Sequence, residues 1–86
     1  MAEPNFEGSF EALPPKRQAQ LSLLRAMNEE AGRLLGLRPY MYATRPDGES
    51  GPEIFHFQGD VRVTGIGPAL KYQQNLLSEA GGTRYI

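Results

Sequence analysis

Val61-Arg62-Val63-Thr64-Gly65-Ile66-Gly67-Pro68 carries an alternating apolar strand through two glycines and a proline into a stretch with helical spacing. Side chains alternate along an extended chain, so Val61 and Val63 share one face of that strand. The helix that follows leaves its first N–H groups unpaired, and its dipole favours negative charge. The junction therefore suits a bound anion or a plain tight turn.

The rest of the chain is read outward from this junction. Downstream of Pro68, Ala69, Leu70, Gln73, Leu76, Leu77 and Ala80 recur at helical spacing until Gly81-Gly82 ends the run, and 81–86 is expected to fray. Upstream, Gly59-Asp60 supplies a turn, Glu53-Ile54-Phe55-His56-Phe57-Gln58 a second strand, and Pro46 to Pro52 a turn-rich loop. Arg38 to Arg45 is rich in strand formers and makes the first strand. Before it, Leu21, Leu24, Met27, Ala31 and Leu34 form an apolar stripe that predicts a helix from Pro15 to Leu35. Proline suits its first turn and Gly36 a left-handed cap at its end. Residues 1–14 hold two prolines and only Phe6, Phe10 and Leu13 as large anchors, and are expected to form a disordered tail.

The predicted order is helix, three antiparallel strands, helix over 15–80. The economical packing is a two-layer α+β domain with both helices on one sheet face. A chain of 86 residues buries only about 60% of the surface it exposes when unfolded. With no cysteine, neither a disulfide nor a thiolate-bound metal can assist so small a core. Nine basic against ten acidic residues give a net charge of −1, which excludes binding nucleic acid by bulk charge. With no long apolar run and no signal pattern, an intracellular, cytoplasmic protein without a membrane partner is expected.

Catalytic and metal chemistry are poorly supplied. The one histidine, His56, points away from Phe55 and Phe57, and no nucleophile or orienting group is paired with it by spacing. Glu29 and Glu30 are adjacent on a helix and point in different directions. The expectation is no enzyme, no cofactor, no metal and no small-molecule substrate. Gly65-Ile66-Gly67 also has the glycine, apolar, glycine order of a helix-hairpin-helix turn. That turn requires a preceding helix, whereas Val61 to Thr64 alternates and is rich in β-branched residues.

Pro39-Tyr40 at the first strand, Gly51-Pro52 before the second, Phe55 within it, and Gly65-Ile66-Gly67-Pro68 leading into the last helix together resemble the motifs of a double-stranded-RNA-binding domain (dsRBD). The resemblance spans Pro15 to Ala80 and implies the same α-β-β-β-α order. It also implies three contacts with an A-form duplex. On the first helix the matching polar positions are Gln18, Ser22, Arg25 and Glu29. In the first loop the family carries histidine after Gly-Pro, and this chain has Glu53. The last helix of the family opens with a lysine cluster, of which only Lys71 remains here.

Each lost phosphate contact removes about one counterion-release step, so the missing lysines weaken the expected grip. The leading expectation is a non-catalytic module that acts through protein contacts or as a homodimer. Its candidate interface residues are Tyr40, Tyr42, His56, Arg62 and Leu70, with the third strand as an exposed edge. Leu70 equally suits the core. The alternative is duplex RNA bound by a composite basic surface of Lys16, Arg17, Gln18, Arg25, Arg45 and Lys71. A third reading is a small inhibitor or accessory protein, of the viral kind, that occludes a larger partner.

Overall fold

A computed structural model describes residues 10–86. Phe6 and the first part of the expected tail lie outside the described residues. The elements are α1 (Pro15–Leu35), β1 (Met41–Thr44), β2 (Ile54–Phe57), β3 (Val61–Thr64) and α2 (Ile66–Glu79). The sheet order is β1-β2-β3, antiparallel throughout, in the two-layer arrangement expected from the spacing.

Helix α1 begins and ends where its sequence signals stand. Pro15 opens it, and Gly36 closes it at φ 70°. The Leu37 N–H bonds the Gly32 carbonyl at 2.8 Å, a Schellman-type closure that satisfies a terminal acceptor. Helix α2 starts at Ile66, earlier than the spacing alone suggests, so Gly67 and Pro68 occupy its first turn. Proline is tolerated there because a first-turn N–H has no partner within the helix.

The register places Tyr42 opposite His56 and His56 opposite Arg62, with Ala43, Phe55 and Val63 aligned on the other face. Phe55 and Phe57 are buried with Leu24 of α1 and Ala69 of α2, and Val61, Val63, Met41 and Leu21 pack around them. Each buried phenylalanine contributes about 1.5–3 kcal/mol from removal of apolar area. The Tyr72 ring stacks on Phe57 with centroids 5.5 Å apart. A second cluster of Met27, Ala31 and Leu77 joins the helices to each other.

Three expectations need correction. Leu34 is not a core residue: it is 46% exposed, while Asn28 and Gly32 are buried on the inward face. The described part of the expected tail is not featureless either. Residues 10–12 are helical, and Gln18 Nε2 donates to the carbonyls of Leu13 at 2.8 Å and Glu11 at 3.2 Å.

The C-terminal segment, expected to fray, is held across both helices. The Thr83 N–H and the Tyr85 hydroxyl each donate to the Glu30 carboxylate at 2.7 Å. Gln74 Oε1 accepts the N–H groups of Tyr85 at 2.5 Å and Ile86 at 3.1 Å, and its Nε2 returns a bond to the Thr83 carbonyl at 3.0 Å. The segment lacks apolar periodicity, yet two buried or half-buried polar side chains satisfy its backbone.

Candidate functional site

Of the three places where a dsRBD would grip a duplex, the loop before β2 presents an acidic residue. Glu53 follows Gly51-Pro52 and is half-buried at the start of β2. Arg17 of α1 donates through Nη2 to Glu53 Oε1, and its guanidinium carbon lies 5.9 Å from the Phe55 ring centroid. Arg45 approaches the same carboxylate oxygen at 3.7 Å and donates to the Gly51 carbonyl at 2.9 Å. Glu53 therefore lies beside two of the candidate phosphate ligands, paired with Arg17 and close to the exposed Arg45.

The other members of that set stand on the two helices. Gln18 is committed to the carbonyls of Glu11 and Leu13. Lys16 and Lys71 are exposed on different helices. Arg25, with Ser22 and Glu29, opens into a groove beside β1.

The junction at Gly65 also differs from an anion cradle. The Gly65 N–H is already given to the Glu53 carbonyl at 2.8 Å, which ties the start of α2 to the start of β2. Pro68 contributes no donor, and no acidic or basic side chain marks the first turn beyond it until Lys71. Its structural work is to turn β3 into α2.

The outer sheet face brings together four of the five predicted interface residues. Tyr42 and His56 stack with centroids 4.3 Å apart and planes within 2°, and Thr44 Oγ1 lies 2.9 Å from His56 Nε2. Tyr40 meets Tyr42 edge to face at 5.5 Å. With Asp60 and Arg62, Tyr40, Tyr42 and His56 line an open groove of about 390 Å³. Desolvation, and then the neighbouring Tyr42 phenol, push the Tyr40 hydroxyl above its ordinary pKa. Tyr40 and Tyr42 nevertheless remain 51% and 43% exposed, large aromatic areas left facing solvent.

Leu70 does not belong to this face. It is half-buried and packs against both core clusters, the core alternative of the two that the sequence left open.

Asn28, which no sequence motif singled out, positions the aromatic face. It is 2% exposed, its Oδ1 accepts the Tyr40 N–H at 3.0 Å, and its Nδ2 donates to Gln58 Oε1 at 2.8 Å and the Tyr40 carbonyl at 3.3 Å. The entry to β1 and the end of β2 are thereby fixed to α1. A buried polar residue inside an apolar helical stripe was the available signal.

A second groove, about 920 Å³, runs between α1 and β1. Leu21 and Ala26 form its helix side, Met41 and Ala43 its strand side, and Phe55 its floor. Among the described residues no group of three metal-ligating side chains occurs, and no helix is long and apolar enough to cross a membrane. Comparison with known proteins gives no relative: no family model, no curated protein and no solved structure matches the chain.

Proposed function

We propose that this chain is a non-catalytic, protein-binding module with a dsRBD-like fold and little affinity for duplex RNA. The observation that carries the reading is the Glu53 carboxylate, which holds Arg17 and approaches Arg45 where the resembled family presents a duplex-facing histidine. Electrostatic grip on a duplex scales with the number of phosphates neutralised, and of the six candidate contacts Arg17 is paired with Glu53, Arg45 lies close to the same carboxylate and Gln18 bonds backbone carbonyls. The exposed aromatic face adds support, since tyrosine and arginine are enriched in protein interfaces.

Titration of a 20-base-pair RNA duplex at low salt tests this reading, with Glu53→His measured beside the natural chain. The natural chain is expected to bind weaker than about 10 μM, within the range of non-specific association. Glu53→His frees two guanidiniums, so its affinity rises several-fold and its log-log salt slope steepens by roughly 1–2. Sub-micromolar, salt-steep binding by the natural chain that is lost on Lys71→Ala would establish duplex recognition instead.

A further inference from the structure

Of the two edges of the sheet, only β1 is without a charged side chain: Met41–Thr44 reads Met-Tyr-Ala-Thr, whereas β3 carries Arg62 in Val61–Thr64. Charges on edge strands discourage pairing with another chain, so the two edges differ in kind. The sequence pointed to β3 as the edge for association, and the structure directs attention to β1. Ala43 lies on the core-facing side of the sheet, in register with the buried Phe55, yet it is exposed. Among the described residues α1 does not close over it, and the groove that results is lined by Phe10 and Leu13 as well as by α1 and β1.

We infer that β1 is a homodimerisation edge, pairing antiparallel with β1 of a second copy so that two three-stranded sheets join into one. This deepens the protein-binding reading and rests on it. The charges around the groove favour a second copy over a partner of one strong sign. Arg17 and Arg25 stand against Glu11, Glu29 and Glu53, nearly balanced.

Arg25 and Glu29 lie one helical turn apart on α1 beside the groove. A two-fold axis perpendicular to the sheet reverses their order in the second copy and brings each toward its opposite. The same axis keeps the aromatic faces on one side. Placing Tyr42 opposite its own copy puts Met41 opposite Ala43 and extends the Tyr42 and His56 stack into a row across the joined sheet. Pro39 and Pro46 bracket the strand, which confines pairing to a short ladder and opposes open-ended growth.

Sedimentation equilibrium of the full chain from about 5 to about 500 μM tests the inference, a range that brackets association through a small interface. A reversible dimer is expected. Ala43→Lys weakens it by at least about 30-fold, because each dimer then buries two added charges. Thr64→Lys, on the β3 edge, leaves the association unchanged, and circular dichroism checks that both variants fold.

Because the chain has no cysteine, Tyr42→Cys provides a single thiol. The proposed pairing brings the two copies of it within about 5 Å, close enough for oxidation to a disulfide, while Thr64→Cys stays monomeric.

A monomer throughout the range overturns the inference. So does a dimer that is lost on Thr64→Lys but indifferent to Ala43→Lys, or one that forms only after residues 1–9 are deleted. A monomer that ignores duplex RNA overturns the pairing alone, whereas tight duplex binding overturns the protein-binding reading beneath it.

Discussion

Asn28 shows how one polar side chain can set the position of a whole surface. Its amide satisfies both the N–H and the carbonyl of Tyr40 and reaches Gln58 as well, from a site that is almost fully buried. Asn28→Ala leaves those groups without partners and is expected to cost about 1–3 kcal/mol. Urea unfolding measures that loss, and the Tyr40 and Tyr42 amide resonances should shift with it. Glu53 acts at the same scale in the opposite sense, pairing with Arg17 and standing close to Arg45, which a phosphate-binding surface would need free. The identity of Glu53 was plain in the sequence, because it stands next to Gly51-Pro52 where a family pattern calls for another residue. The role of Asn28 was hidden, since its partners lie 12 and 30 residues away. Gly32 was hidden for a similar reason: an added Cβ would stand 2.8 Å from the Leu37 carbonyl oxygen, where the chain doubles back after α1.

Among the elements, the helices and strands obeyed local signals, and the C-terminal segment did not. Glu30 and Gln74 hold that segment across α1 and α2. The Tyr85 hydroxyl, and then the Thr83 N–H, hold the Glu30 carboxyl below its ordinary value of 4.5. A depressed carboxyl stabilises the fold above its unfolded pKa and loses that contribution as pH falls through the folded value. Tyr85 is pushed above 10.0, first by its bond to Glu30 and then by desolvation, so its contribution is complete below pH 10 and is lost as pH rises through the folded value. Amide exchange at Thr83 and Tyr85 should therefore be slowest between about pH 4.5 and 10, after correction for intrinsic exchange. Tyr85→Phe removes the upper limit and speeds exchange at Thr83 across the plateau.

For the whole molecule, one sheet face is committed to folding and the other is left to solvent. Phe55 and Phe57 are 0% and 1% exposed, and both helices meet over them. Phe55→Ala is expected to cost about 3–5 kcal/mol, against a total stability that for small domains is about 5–15 kcal/mol. Thermal denaturation should show a large fall in midpoint or no cooperative transition. Tyr42→Ala, on the outer face, should leave the midpoint within a few degrees, because a cross-strand pair contributes only about 0.2–1 kcal/mol. The contrast between those two variants separates the face that holds the fold from the face available to a partner.

Periodicity by itself determined the element order, the length of α1 and the side of the sheet on which Phe55, Phe57 and His56 lie, because these depend on neighbours a few residues apart. The amino-acid sequence also set the near-neutral charge and the single lysine at the start of α2. Only the tertiary structure decided that Arg17 and Arg45 meet at Glu53, that Leu70 serves the core, that the last residues are clasped by Glu30 and Gln74, and that among the described residues α1 leaves Ala43 of β1 exposed. Each of those depends on how elements distant in sequence approach one another, and a local pattern of apolar spacing carries no record of that distance.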